Sequence, residues 1–143
     1  KDGEYYKLVK GNGDNLKVSF RGAEIYLISA EAAAHVDGKL DLAKNRLKAL
    51  MEKRLTPELY AEKSVEINSM NQQQLLEEVA DERAREFVME GHRWFDLRRT
   101  TQPEIVKPNP SGNTSTITLG SGGVGYVIPF PTVATESNPN LHN

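Results

Sequence analysis

Apolar residues recur at helical spacing in two stretches of the chain, residues 23–36 and residues 40–54. On one side of the first stretch lie Ala23, Tyr26, Leu27, Ala30, Ala33 and Ala34. The matching side of the second stretch holds Leu40, Ala43, Leu47, Leu50 and Met51. Such spacing is typical of the buried face of an amphipathic helix. Asp37-Gly38 interrupts the pattern, and because a short turn makes consecutive helices antiparallel neighbours, the sequence predicts a helix pair.

The predicted helix pair resembles one tetratricopeptide unit, with small residues on its first helix, a glycine at the turn and an alanine early in its second helix. A single unit of this kind cannot bury both of its faces, so we expect further helices to cover it. Lys1 is not a start methionine. We therefore expect the chain to be a fragment of a longer protein, whose N-terminal portion is a partner of this one.

A third helix is predicted to begin near Gln72, with Asn71 as its N-terminal cap. Its buried side is expected to contain Leu75, Leu76, Val79, Ala80, Ala84, Phe87 and Val88. The preceding residues 55–71 are interpreted as a connector, in which Thr56-Pro57 starts no more than a short helical turn.

Residues 78–99 combine acids, arginines and aromatics more densely than any other segment. Glu82, Glu86 and Glu90 recur every four residues and share one helix face, where unpaired carboxylates would repel one another. Five of the eight arginines fall in this segment. Because guanidinium groups pair with carboxylates in a planar, bidentate manner, the segment predicts a structural ion-pair network. Its members are Glu82, Arg83, Glu86, Glu90, Arg93, Asp96 and Arg98.

Gly91 predicts a break within this segment, since glycine favours the left-handed conformation that ends helices. A second short helix then covers His92 to Arg99. We therefore expect two helices bent at Gly91 and tied together by the ion-pair network.

The two ends of the chain are predicted to be less helical. Residues 1–20 indicate a hairpin or an extended lead-in. Residues 114–119 alternate like a strand, the glycines of residues 120–125 turn the chain, and residues 126–128 are expected to return as its partner. The tail is polar and irregular. The predicted fold is mostly α, with a tetratricopeptide-like helix pair, a bent helix pair, a C-terminal β-hairpin and an irregular tail.

The composition of the 143 residues narrows the possible functions. With 38% hydrophobic and 27% charged residues, the chain has the make-up of a folded domain. Its net charge of −2 gives no electrostatic reason to bind nucleic acid. The absence of cysteine excludes disulfides and thiolate metal sites within these residues.

Three motifs were considered as catalytic, metal-binding or dinucleotide-binding sites, and a purely structural role explains each of them better. Glutamates one helical turn apart have the separation of a retaining glycosidase pair, but on one helix they point the same way and seldom flank a substrate bond. The histidines His35, His92 and His142 show no metal-ligand spacing. Residues 120–125 match a dinucleotide-binding glycine motif, but a predicted strand follows them instead of the required helix. We therefore predict no catalytic residue, no cofactor and no metal site.

Three blocks of sequence resemble the SusD/RagB family of outer-membrane nutrient-binding lipoproteins. Residues 21–32 are similar to its R-x-A-E-x-x-L-x-x-A-E-A pattern. Residues 82–99 are close to its E-R-x-x-E-x-x-x-E-G-x-R-W-F-D-L-R-R pattern. Residues 126–131 and 138–141 are similar to its closing P-I-P and N-P-N-L. The chain departs from the family at Gly22, where a large apolar residue is common, and in its last two residues.

This resemblance implies that the chain is the C-terminal portion of a non-catalytic protein, lipid-anchored on the outer face of the bacterial outer membrane. Such proteins bind glycans, or in some members peptides, and cap a SusC-like TonB-dependent transporter. The implied partners are therefore an oligosaccharide ligand and that transporter. No ligand-binding residue is carried over, because much of the family's ligand contact comes from other portions of the protein. The alternative interpretation is a protein- or peptide-binding helical repeat module.

Overall fold

The computed structural model describes residues 21–111, 114–138 and 140–141, and it divides between Arg93 and Trp94 into two units. The lead-in expected for residues 1–20 lies outside the described residues. The first unit contains helices α1 (Gly22–Ala34), α2 (Leu40–Met51), α3 (Pro57–Ser69) and α4 (Gln72–Glu86). Helix α5 (His92–Arg99) begins in the first unit and continues in the second.

Helices α1 and α2 form the predicted pair, and α1 also packs against α4. The turn between them contains Gly38, whose positive φ of 72° suits glycine. The predicted apolar stripe of α1 is buried except for Tyr26, which is 40% exposed. Tyr26 lies at the edge of that stripe, where its phenol ring remains in contact with water. The opposite side of α1 is also apolar, and Ile25 and Ile28 on it are exposed.

The core of the first unit is assembled from all four of these helices. Its fully buried side chains include Leu27, Leu47, Ile67, Leu75 and Val79. Burying each of them contributes about 1.5–3 kcal/mol. The predicted stripe of α2 is buried as well, apart from Leu40, which packs against the core while partly exposed.

The interpretation of residues 55–71 as a connector is wrong, because α3 is a full helix of 13 residues. It starts where expected: Thr56 is the N-cap and accepts a hydrogen bond from the Leu59 amide, and Pro57 is the first helical residue. The pattern missed the remainder because Ile67 is its one buried residue, while Leu59 and Val65 are 53% and 71% exposed. A helix held by so narrow a contact shows no apolar stripe in its sequence.

Helix α4 begins as predicted. The Asn71 side chain accepts from the Gln74 amide at 2.9 Å, and the Gln74 side chain accepts from the Asn71 amide at 3.0 Å. This reciprocal capping box satisfies two amides that have no partner inside the helix. Val88 was expected to be buried but is exposed. The helix ends at Glu86, so the helical spacing that placed Val88 on the buried side no longer holds there.

The break at Gly91 is confirmed, with a positive φ of 83°. The helix before it ends four residues earlier than Glu90, and Met89 also adopts a positive φ, of 65°. Helix α5 starts directly after Gly91, as predicted.

The second unit contains the predicted antiparallel hairpin, but with a different partner strand. Strand β2 (Thr116–Leu119) pairs with β1 (Ile105–Pro108), with Ile105 opposite Leu119 and Pro108 opposite Thr116. Pro103 and Pro108 conceal β1 in the sequence, because proline disfavours strands except at their ends and edges. The connection therefore runs over residues 109–115, and the glycines of residues 120–125 do not form the hairpin loop.

Residues 126–128 were expected to be the second strand, and this is wrong. Val124–Tyr126 forms a single 3₁₀ turn. The Tyr126 ring is buried and its hydroxyl donates to the Pro103 carbonyl, which fixes this segment as a turn. The tail also contains a short helix, α6 (Thr132–Ser137), that the irregular prediction missed. The overall prediction of a mostly α fold with a C-terminal β-hairpin is confirmed for the described residues.

Candidate functional site

The carboxylates singled out in the sequence, Glu82, Glu86 and Glu90, are joined by Glu78 along one side of α4 and in the turn that follows it. Glu78, Glu82 and Glu86 occupy successive helical turns of α4, and Glu90 comes just after. Their side chains are between 7% and 12% exposed. Carboxylates that are so far removed from water require hydrogen-bond donors or cations nearby.

Arg21 supplies donors to two of these carboxylates from the N-cap position of α1. Its Nη1 lies 2.9 Å from Glu90 Oε1, and its Nη2 pairs with Glu86 Oε1. Nη2 also donates to the Glu86 backbone carbonyl at 3.3 Å. The guanidinium carbon lies 5.3 Å from the centre of the Phe87 ring, within the range of a cation–π contact. Arg21 therefore ties the start of α1 to the end of α4.

Glu86 has a second guanidinium partner, Arg54, which follows α2. Arg54 Nε lies 2.9 Å from Glu86 Oε2, and Arg54 Nη2 lies 3.1 Å from Oε1. This is a bidentate pair, the geometry that suits guanidinium and carboxylate best. The hydrogen bond with Glu86 raises the pKa of Arg54 above its usual value despite some desolvation. Glu86 thus joins the end of α4 to the start of α1, through Arg21, and to the segment after α2, through Arg54.

A second cluster lies further back along α4. Arg85 Nε lies 2.8 Å from Glu82 Oε2, and Arg85 Nη2 lies 2.7 Å from Glu78 Oε1. Lys63 of α3 reaches Glu78 Oε2 at 2.9 Å and Glu66 Oε2 at 3.0 Å. Desolvation lowers the pKa of Lys63, but hydrogen bonds with Glu78 and Glu66 outweigh it, so the pKa lies above its usual value. The same balance, with Glu82 and Glu78, raises the pKa of Arg85.

The other arginines expected in the network have different surroundings. Arg83 is buried, and its guanidinium carbon lies 5.4 Å from the centre of the Phe87 ring. Arg93 is exposed and donates to the Ala80 carbonyl at 3.3 Å. Arg98 is exposed. In the second unit, buried Asp96 accepts from its neighbour Arg99, with 2.9 Å between Arg99 Nη2 and Asp96 Oδ1.

Two of the cations that pair with these carboxylates, Arg21 and Arg54, lie outside the charged segment of residues 78–99. They come from 65 and 32 positions away from Glu86. Ion pairs over such distances depend on how helices pack, which no local pattern shows. The position of Arg21 directly before α1 is the one sequence signal that points toward it, because it opens the first of the three family-like blocks.

The aromatic side chains beside these clusters are used in packing. Within the first unit, the His92 ring stacks on Phe87 with 4.6 Å between ring centres. Within the second unit, the Trp94 ring stacks on buried Tyr126 at 5.3 Å, with 10° between the ring planes. Trp94 itself is half-buried.

Across residues 21–111, 114–138 and 140–141, no group of three or more histidines, aspartates and glutamates is arranged to hold a metal ion. Over the same residues, no helix is both long enough and apolar enough to span a membrane. The carboxylates of α4 are held by the ion pairs and hydrogen bonds described above.

A known protein family is similar to this chain over almost its entire length. The family model described as the SusD family matches residues 4–143, almost the entire sequence. The chain belongs to the SusD family. Members of this family are outer-membrane-associated proteins that bind nutrients such as glycans, are generally non-catalytic and work with outer-membrane transporters. No curated protein matches the chain.

The structure shows how two of the SusD-like blocks meet. Arg21, which opens the first block, bonds Glu86 and Glu90 of the second block. Residues 82–86 of the second block form the last part of α4, and residues 92–99 form α5. The charged residues of the family-like blocks thus contribute to the packing of helices in the first unit.

Proposed function

We propose that this chain is the C-terminal portion of a SusD-like protein that binds glycans, or other nutrients, at the surface of the bacterial outer membrane. The protein does not alter its ligand and delivers it to a SusC-like TonB-dependent transporter. The observation that carries this proposal is the match of the SusD family model to residues 4–143. The family as a whole supports nutrient binding at that membrane.

The charged clusters are proposed to be scaffolding. This role is assigned in the first unit to Glu82, Arg83, Glu86, Glu90 and Arg93, extended by Arg21, Arg54 and Arg85, and in the second unit to Asp96 and Arg98. Glu86 supports it most directly, because each of its oxygens already accepts from a guanidinium group. A carboxylate so occupied serves to hold helices together. Ligand recognition is accordingly assigned to portions of the protein beyond these residues.

The proposed location is the outer face of the outer membrane, with a lipid anchor in the N-terminal portion of the protein. Family membership supports association with this membrane. Incorporation of radiolabelled palmitate into the full-length protein, together with its digestion by proteinase on intact cells, tests both parts of the proposal. A protein that is unlabelled and protected from proteinase would contradict them.

Isothermal titration of the full-length protein with a panel of oligosaccharides and peptides tests ligand binding. We expect saturable heat from one class of ligand. Glu86→Gln is the matched control: it should lower the unfolding temperature and leave the affinity of the folded protein unchanged. Failure to bind any member of the panel, with the fold retained, would contradict the proposal. Turnover of a ligand that disappears in folded Glu86→Gln would assign catalysis to this carboxylate.

Affinity purification from outer membranes of the source cells tests the transporter partnership. The expected result is co-purification of a TonB-dependent transporter at a stoichiometric level. Recovery of a soluble partner without any transporter would instead favour a helical repeat module that binds other proteins.

A further inference from the structure

Two depressions adjoin each other between α3 and α4 in the first unit, where the Lys63–Glu78 ion pair joins the two helices. Lys63 lines one of them, Glu78 lines the other, and Glu66 lines both. We call these two depressions and their walls the α3–α4 groove. The first depression lies near the start of α3 and the end of α4, and the second lies near the opposite ends.

The first depression has a volume of about 330 Å³ and an apolar floor. Met51, Leu55 and Leu59 form that floor, and Leu59 is 53% exposed. No aromatic ring lies among the side chains that line this depression, so a sugar ring has no platform on which to stack. A space of this size and polarity suits a large apolar side chain such as phenylalanine or leucine.

The second depression, of about 350 Å³, has acidic walls. Glu77, Glu78 and Asp81 of α4 and Glu66 of α3 line it. The two depressions together contain six carboxylates and two cations, a surplus of four negative charges, whereas the whole chain has a net charge of −2. Negative charge is therefore concentrated in this groove, and it complements a cationic partner.

The kind of cation is indicated by the spread of the carboxylates. Glu77 and Asp81 are exposed and lie one helical turn apart. No three acids or histidines in the described part of the chain converge as metal ligands would. Lysine and arginine side chains carry a cation on a long stem and can reach such dispersed acids one at a time.

We infer that the α3–α4 groove docks an extended segment of a partner protein, with an apolar side chain in the first depression and a lysine or arginine in the second. The depressions lie about six residues apart along each helix, which is about 9 Å at 1.5 Å per residue. An extended chain covers that distance in about three residues. The segment is therefore recognised as an apolar residue followed, or preceded, at about three positions by a basic one. This inference does not depend on which nutrient the protein binds.

Fluorescence polarisation tests the inference with the full-length protein and a short labelled peptide that has a phenylalanine and, three residues later, a pair of lysines. We expect saturable binding that weakens as ionic strength rises. Leu59→Ser removes apolar floor and Asp81→Lys reverses one acidic wall, and each should weaken binding about tenfold. Both residues are exposed, so both variants should fold.

Two substitutions serve as matched controls on the same helix. Val65→Ser changes an exposed apolar residue of α3, and Glu58→Gln removes an exposed charge of α3, neither of which lines the depressions. Both should bind the peptide as the wild type does. A matched peptide with glutamates in place of its lysines should not bind.

Three outcomes would overturn the inference. The first is that no such peptide gives saturable binding. The second is that Leu59→Ser and Asp81→Lys bind as tightly as their controls. The third is a concentration-dependent dimer in analytical ultracentrifugation that Leu59→Ser abolishes, which would assign the groove to a second copy of the protein.

Discussion

Arg21 and Glu90 are 69 positions apart in the sequence, yet their Nη1 and Oε1 atoms lie 2.9 Å apart. Because Arg21 also pairs with Glu86, one side chain at the start of α1 compensates two carboxylates, one at the end of α4 and one in the turn after it. The pair has the character of a partly buried ion pair, since the Glu90 side chain is 7% exposed and that of Arg21 is 32% exposed. Its removal deprives both carboxylates of one guanidinium partner.

We therefore expect Arg21→Ala to lower the free energy of unfolding by about 2 kcal/mol, below the 3–5 kcal/mol of fully buried pairs because Arg21 is partly in water. Urea denaturation followed by circular dichroism measures this change. Arg46→Ala is the matched control, because Arg46 is an exposed arginine of α2 and should change the stability by less than about 0.5 kcal/mol. Equal losses of unfolding free energy in the two variants would show that the ion pairs of Arg21 stabilise the fold no more than an exposed arginine does.

Arg93 is expected to matter much less than Arg21, although both belong to the family-like motifs. It is exposed and donates a hydrogen bond to the Ala80 backbone carbonyl at 3.3 Å. Arg93→Ala should therefore cost less than about 1 kcal/mol. The same urea experiment measures it, and Arg93→Lys provides a control that retains the charge. A loss as large as that of Arg21→Ala would mean that Arg93 has a buried role.

The Lys63–Glu78 bridge should make a pH-dependent contribution to stability. The pKa of Lys63 is raised above its ordinary value of 10.5 in the folded chain. Its contribution is therefore fully present below the unfolded pKa and is lost as pH rises through the folded one. Because Lys63 is partly exposed, this contribution is at most about 1 kcal/mol.

Thermal unfolding of the wild type and of Lys63→Met between about pH 8 and pH 12 measures this linkage. The difference in stability between the two should shrink above about pH 10.5 and remain constant below it. Comparing the two proteins at each pH removes the contribution of tyrosines, which titrate in the same range. A difference that is constant over the entire range would contradict a role for the protonated Lys63.

The capping box of α4 should account for a measurable part of the stability of that helix. Asn71→Ala removes the acceptor for the Gln74 amide and should cost about 1 kcal/mol. Asn71→Asp keeps an acceptor at the same place and should restore most of the loss. Chemical denaturation of the three proteins decides the matter, and an Asp variant no better than the Ala variant would exclude capping as the cause.

Gly91 should be intolerant of a side chain because of its backbone conformation. Its φ is +83°, and a Cβ there would meet no atom within 4 Å, so the cost of Gly91→Ala is conformational and amounts to about 1 kcal/mol. Gly22→Ala is the matched control. It also has free space and lies in the first turn of α1, so alanine there should be neutral or slightly stabilising. Calorimetry should separate the two variants, and equal melting temperatures would contradict this account.

Features of the fold that depend on a few adjacent residues could be predicted from the sequence. The cap at Asn71, the break at Gly91 and the helix pair joined at Gly38 each rest on local chemistry. Helix α3 escaped prediction because Ile67 is its one fully buried residue. The partner of β2 escaped it because the conformation of residues 126–128 is set by burial of the Tyr126 ring, which is a tertiary effect.

The charged clusters could likewise be predicted only in part from the sequence. The sequence shows that the glutamates of α4 need cations, because their spacing places them on one face. It does not show that Arg21 and Arg54 are those cations for Glu86, because both lie on other helices or at their ends. Lys63, which pairs with Glu78 from α3, also lies outside residues 78–99, so the sequence does not show this pair either.

Because α3 buries so little of its surface, its sequence can change more freely than that of the other helices of the first unit. Of its 13 residues, Ile67 alone is fully enclosed, so most substitutions on its outward side would leave folding intact. One wall of the α3–α4 groove is therefore free to drift between related proteins, while the opposite wall is anchored by Leu75 and Val79 of α4. Evolution could thus revise the binding preference of the groove without redesigning the helices that support it.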